Sequence, residues 1–299
     1  MKNLHLIVFQ GVHNFPNFAA ETNGFFERRG LTVKTTFTKS SEQQRAGLAN
    51  GEYDIAHSAV DNAVAMVDIA DEDVAIVVGL DHGFNKLIVQ PDITSYEGLR
   101  GRIFGVDAVD TAFAIVGYEI LKRKGMKQGD YKIETIGATR FRLEALKQKK
   151  VDFAMLNLPF NLFAQRAGLK VLDDPTNVID AYQSTGGFVK RAWAQNNRDA
   201  LTQYIAAYIE GLRWSMDPKN RSAAIELLKQ RMDIESDIAE QCFQEISDPK
   251  TGFAKDAKID LAGMENVLAL RAAFSGKQNI DKVSRYVDET FYSDAIAAL

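Results

Sequence analysis

Leu48-Ala49-Asn50-Gly51-Glu52-Tyr53-Asp54-Ile55-Ala56 and Leu146-Lys147-Gln148-Lys149-Lys150-Val151-Asp152-Phe153-Ala154 share one plan. Each reads as the last turn of a helix, a polar turn, and an Asp that opens a short apolar strand. Two copies of one helix-to-strand device, far apart in one chain, predict two similar α/β lobes. A pair of such lobes makes a cleft.

Outward from these stretches, short apolar runs bounded by Gly, Pro or Asp alternate with longer segments of helical period. Strands are predicted at Leu4 to Phe9, Leu31 to Phe37, Asp54 to His57, Val74 to Gly79 and Lys86 to Gln90. Others follow at Arg102 to Val106, Lys132 to Ile136, Asp152 to Leu156, Lys170 to Leu172 and Gly187 to Arg191. The alternation predicts a parallel, doubly wound sheet with helices on both faces. Helices are expected at Phe15 to Arg28, Ser41 to Ala49 and Thr111 to Lys124, with a short one at Ser95 to Leu99. Asp110 and Gly125 punctuate the third of these as cap and stop. Beyond Arg191 the pattern is helical: Asn197 to Met216, Pro218 to Met232 behind an Asp217 cap, Glu235 to Glu245, Asp260 to Phe274 and Asp281 to Leu299.

The chain of 299 residues is 46% hydrophobic and 25% charged, enough for two cores. With Lys+Arg 36 against Asp+Glu 40, its net charge of -4 offers no basic field for a nucleic-acid backbone. The single cysteine, Cys242, lies in an amphipathic run and reads as a small buried apolar residue. Leu4 to Phe9 is too short for a signal-peptide core or a membrane span. A periplasmic location is expected if a leader has been replaced by Met1, a cytoplasmic one if Met1 is the native start. No low-complexity linker divides the chain, so the lobes are expected to be joined by crossings near Asp81 to Leu87 and Gln183 to Phe188. Residues 1–84 and 188–299 then form one lobe and 85–187 the other, the helical tail returning to the first.

Three motifs, in order, resemble those of solute-binding proteins for nitrate, sulfonates, taurine and thiamine pyrimidines. They are Gly24 to Val33 (GFFERRGLTV), Leu48 to Ala56 (LANGEYDIA) and Pro91 to Val106 (PDITSYEGLRGRIFGV). The similarity continues through Val151-Asp152-Phe153-Ala154 and Asp199 to Leu228. It implies a two-lobe periplasmic-binding-protein fold of type II, α/β with mixed sheets and a helical C-terminal region, in which lobes close on a small molecule. The implied partner is an ABC permease. No cofactor, metal, nucleic acid or membrane span is implied.

In such sheets ligands sit at the carboxyl ends of strands, which directs attention to the loops that follow them. The candidate contacts are His13, Asn14, Phe15, Ser40, His57, Ser58, Asp61, His82, Asp107, Thr111, Arg140 and Asn157. His13, His57 and His82 fall just past strands, but no HxH or HExxH spacing makes them a metal site, and they read as pocket or rim histidines. His5 reads as structural. Asp61 and Asp110 stand before helical segments, as caps or as ligand contacts. Asp61, Asp81, Asp107 and Asp110 outnumber Arg140, a balance that favours an amine-bearing or heteroaromatic ligand over a simple oxyanion. Phe15, Phe84 and Phe160 read as loop-tip aromatics for a flat ligand or as core, Gly186 and Gly187 as backbone approach or hinge.

Two enzyme branches resemble the same family. Thiamine-pyrimidine synthases carry a Lys where this chain has Ala56-His57-Ser58-Ala59, and a cysteine-rich motif it lacks. Sulfinate desulfinases carry a nucleophilic cysteine where this chain has Val12-His13-Asn14. Neither chemistry transfers, so the leading expectation is ligand capture for an ABC-type importer. A lyase- or hydrolase-type enzyme using His57 or His82 beside a carboxylate, and a cytosolic ligand sensor, are the alternatives.

Overall fold

Asp54 and Asp152, the residues that open the two repeated strands, do the same work in two different sheets. The Asp54 carboxylate accepts the His5 N–H at 2.8 Å while its own N–H donates to the His5 carbonyl. Asp152 brackets Ile103 in the same way, its carboxylate accepting the Ile103 N–H at 2.8 Å. Each Asp thus fixes the register of its strand against a parallel neighbour.

The computed structural model describes residues 1–177, 179–277 and 279–299. Its strands are β1 (Lys2–Val8), β2 (Leu31–Phe37), β3 (Ile55–Ala59), β4 (Val74–Asp81), β5 (Lys86–Val89), β6 (Ile103–Val106), β7 (Lys132–Thr135), β8 (Phe153–Leu156), β9 (Lys170–Asp173) and β10 (Thr185–Lys190). They form two five-stranded sheets, in the orders β2-β1-β3-β10-β4 and β7-β6-β8-β5-β9. The chain passes from the first sheet to the second between β4 and β5 and returns between β9 and β10.

The sheets are mixed, as the family resemblance implies, and not parallel throughout as the strand-helix alternation alone predicts. β10 runs antiparallel to β3 and β4, and β5 antiparallel to β8 and β9. Both are the strands that arrive straight from the other sheet. With no crossover helix to reverse the chain, they enter against the direction of their neighbours.

The first helices are α1 (Phe15–Thr22), α2 (Phe25–Arg28), α3 (Ser41–Ala49), α4 (Asp61–Ile69), α5 (Ala112–Arg123), α6 (Thr139–Lys147) and α7 (Phe160–Arg166). The single helix expected from Phe15 to Arg28 is broken at Asn23 and Gly24, where Gly24 adopts φ 69. The tail comprises α8 (Arg191–Asn196), α9 (Arg198–Met216), α10 (Arg221–Met232), α11 (Ser236–Ile246), α12 (Leu261–Ser275) and α13 (Thr290–Ala297). Pro218 opens a short turn capped by the Asp217 side chain, which accepts the Lys219 N–H. The helix expected from Asp281 to Leu299 is interrupted, because Val287 pairs with Ile76 at the edge of the first sheet.

α9 and α13 cover the first sheet through Leu201, Tyr204, Ile205, Tyr208 and Phe291. α10 and α11 pack both on α1 and on Leu158 and Leu162 of the second half. The tail therefore returns to the first sheet and also touches the second. Cys242 is fully buried in that cluster, as its amphipathic run predicts.

Candidate functional site

The carboxyl ends of β1, β3, β6 and β8 converge on one small chamber between the sheets. Its wall is drawn from both halves: Phe9, His13, Ser41, Ser58 and Asn62 on one side, Asp107, Thr111, Phe113, Thr139, Arg142 and Asn157 on the other, with Thr185 at the crossing. Its volume is about 40 Å³. At roughly 10–15 Å³ per water, that holds about three waters or one compact polar group.

Four hydrogen bonds and one ion pair hold the halves together around it. The Ser41 N–H donates to Asp107 Oδ2 at 3.1 Å. The Ala138 N–H donates to the Lys39 carbonyl at 3.1 Å, and the Val12 N–H to the Leu158 carbonyl at 3.4 Å. Arg45 pairs with Asp110 at 3.4 Å. Arg271, on α12, donates to the Asp110 carbonyl at 2.7 Å.

Three hydroxyls of the wall are spent internally. Ser58 donates to Gln44 and accepts from Asn62, Thr111 donates to the Ala108 carbonyl, and Thr185 donates to Asp81. Asp107 Oδ1 and Asn157 Oδ1 are buried with no partner. Two acceptors are thus left without a protein donor at the chamber wall, each at a cost of about 1–3 kcal/mol until a donor arrives. Arg142 is buried and donates to the carbonyls of Met155 and Gly137 and to Thr139 Oγ1. Burial lowers its guanidinium to about 10, a shift the Asp107 carboxylate opposes.

His13 lies in the wall and shares Nε2 with the Phe9 carbonyl at 3.0 Å, so Nε2 is the donor and Nδ1 is left as an acceptor. Burial pushes its pKa down to about 4, so the ring is neutral at pH 7.

The structure brings His13, Ser58, Asp107, Thr111 and Asn157 together and places the other candidates elsewhere. His57 points to the opposite face of β3, where its Nε2 meets the Tyr204 hydroxyl at 2.9 Å. Asn14 donates to the Phe9 and Gly11 carbonyls and shapes the turn after β1. Phe15 is fully enclosed among the residues of α10 and α11. Ser40 caps α3 by accepting the Gln43 N–H, and its neighbour Ser41 is the wall residue. Asp61 is neither cap nor wall residue: it is the first residue of α4 and forms a buried two-pronged pair with Arg271. Asp110 pairs with Arg45 and does not cap α5, whose N-cap is Thr111. Arg140 lies over the Phe141 ring at 4.5 Å, and Arg142 takes the inner position.

Phe84 and Phe160 are core residues, stacked edgewise on Phe253 and Phe163. A Cβ on Gly186 would stand 2.4 Å from the Val78 carbonyl, and one on Gly187 2.8 Å from the His57 ring. Close packing of β10 accounts for both glycines. The acidic surplus read from the loops is dispersed as well, since Asp61 is neutralised by Arg271 and Asp81 accepts from Thr185 and Gly83.

His82 belongs to a second cavity of about 320 Å³ along the two chain crossings, lined also by Asn85, Val116, Tyr182, Ser184 and Asp260. Phe113 forms part of the wall of both spaces. The His82 ring stands 3.6 Å from the Asp260 carboxylate. Among the described residues, no group of three or more His, Cys, Asp and Glu side chains has the geometry to hold a metal ion. No described helix is long and apolar enough to cross a membrane.

Two α/β halves joined by two crossings, with strand ends meeting around one polar chamber, define the periplasmic-binding-protein fold. The nitrate-binding protein NrtA of Synechocystis PCC 6803 superposes with a TM-score of 0.84 at 13% identity, over 100% of this chain and 89% of that one. The ligand-binding component of an ABC-type import system from Staphylococcus aureus, solved with zinc bound, matches at 0.82 and 12% identity over 99% of each chain. The alkanesulfonate-binding protein SsuA of Xanthomonas axonopodis matches at 0.77 and 13% identity over 95% of this chain and 96% of that one. No curated protein matches the chain in sequence. The NMT1/THI5-like family model matches residues 13–221, and the chain belongs to that family.

Proposed function

We propose that this protein captures a small polar solute between its halves and presents it to an ABC-type importer. Residues 1–84 with 188–299 act as one lobe and 85–187 as the other, swinging about the two crossings. Capture takes place in the periplasm. One observation carries the reading: a chamber walled by both halves, with Asp107 Oδ1 and Asn157 Oδ1 left without donors. The solute supplies donors to them, as the N–H groups of an amine, an amidine or a nitrogen heterocycle do beside the Asp107 carboxylate. A ring does not fit the closed chamber, so a heteroaromatic solute extends past Phe113 into the larger cavity. Binding to both walls favours the shut form over the open one.

A thermal-shift screen of nitrogen-bearing solutes, followed by calorimetry of the best one, tests this. Asp107→Ala and Asn157→Ala are each expected to lose about 10–100-fold in affinity. Unchanged affinity in both removes them from the site. One observation favours a catalytic alternative, namely the His82 and Asp260 pair beside the larger cavity. Turnover of the screened solute, lost in His82→Gln, would establish it.

A further inference from the structure

We infer that Asp107 is the specificity-determining residue of the chamber, a built-in anion that excludes nitrate- and sulfonate-type solutes. The inference rests on the solute-capture reading and deepens it. α3 is a nine-residue helix whose first residue, Ser41, lies in the chamber wall. Such a terminus attracts an anion, because its free N–H groups and the helix dipole both favour negative charge. Here the position is taken: Asp107, only 8% exposed, reaches across from the other half and seats Oδ2 on the Ser41 N–H at 3.1 Å.

The other Asp107 oxygen faces the chamber without a partner. An incoming oxyanion would meet a fixed negative charge, the Asn157 amide oxygen and the neutral His13 ring, all of which accept hydrogen bonds. Arg142 is the cation in the wall. It already donates through Nε and both terminal nitrogens to protein acceptors, and Asp107 balances its charge. The frame of an anion site is therefore present, with a helix terminus on one wall and a guanidinium on the other, and the protein fills it with its own carboxylate.

The test is calorimetric titration of wild type, Asp107→Ser and Asp107→Asn with sodium nitrate and sodium ethanesulfonate, against sodium chloride at matched ionic strength. Wild type is expected to show no saturable binding of either anion. Both variants are expected to gain at least about tenfold in affinity for one of them, Asp107→Ser the more because it also frees space. Should Asp107→Ser melt without a cooperative transition, the nearly isosteric Asp107→Asn carries the comparison. Saturable binding of either anion by wild type overturns the inference, and so does a folded variant that binds no better than wild type. The screen of nitrogen-bearing solutes judges the capture reading separately: a wild type that binds such a solute while the variants gain no anion refutes the role of Asp107 alone.

Discussion

Asp61 and Arg271 form a two-pronged ion pair in which neither side chain is more than 5% exposed, with Arg271 Nε 2.7 Å from Asp61 Oδ1. The partners lie 210 residues apart, and the same guanidinium donates to the Asp110 carbonyl of the other half. The pair ties α4 to α12, and α12 to the mouth of the chamber.

Breaking this pair strands a charge where water does not reach it. Arg271→Met is expected to destabilise the fold by about 3–5 kcal/mol in urea titrations, because Asp61 is left buried and unpaired. Adding Asp61→Leu should restore most of that loss, since two apolar groups carry no desolvation penalty. A single-variant loss below about 1 kcal/mol would show that solvent reaches the pair.

Burial also sets the response to acid. His13 and His57 are lowered to about 4 and about 3, so the stability they contribute is complete above pH 6.5 and declines as pH falls toward those values. Burial raises Asp81 to about 6, against hydrogen bonds from Thr185 and Gly83, so its contribution has the opposite sign: full below pH 3.8, lost as pH rises through about 6. Between about pH 6 and 4 the unfolded chain holds two more protons on the histidines and one fewer on Asp81, and the trio costs about 1.4 kcal/mol per unit of falling pH. In His13→Gln one histidine proton is gone. The gap between its unfolding free energy and that of wild type should therefore change by about 1.4 kcal/mol per unit over this window, and parallel curves would contradict the assignment.

Helix α9 sits so close on α1 that a Cβ on Gly211 would stand 2.2 Å from the Pro16 carbonyl and 2.9 Å from the Ala20 nitrogen. Both are backbone atoms, and neither can swing aside. Gly211→Ala is expected to cost about 1–3 kcal/mol or more through displacement of α9, despite the better helix propensity of Ala. Thermal melting checks it, and an unchanged or raised midpoint would contradict it.

All ten strands were legible within a residue or two, because Gly, Pro and Asp punctuate short apolar runs throughout the two sheets. Which strands run antiparallel was not, although the resemblance implies mixed sheets. β5 and β10 read like any other apolar run, and only their distant partners decide that they run antiparallel. The break at Val287 was hidden for the same reason, since its partner Ile76 is far away in the chain.

The chamber wall draws on the segments that follow the strands, and there some neighbours of the candidate residues take the inner positions. Ser41 rather than Ser40, and Arg142 rather than Arg140, reach the wall. A signal for Arg142 existed: Thr139, Arg142, Leu143 and Leu146 fall on one face of α6 at helical spacing, and all four are buried. His57 looked like a cleft residue because it follows Ile55 and Ala56 at a strand end. Strand alternation turns it to Tyr204 and leaves Ser58 on the chamber side. The pairing of Asp61 with Arg271 had no local signal at all.

The most direct measurement of solute capture by closure is the distance between the two lobes. Lys34→Cys on β2 and Lys132→Cys on β7, both exposed, accept a donor and acceptor dye, whereas buried Cys242, its thiol pushed up to about 12, stays unlabelled. Saturating the protein with the solute found by screening is expected to move the energy-transfer distribution to the shut distance, and Asp107→Ala is expected to need a higher concentration to do so. A solute that binds tightly yet leaves the distribution unchanged would contradict the account.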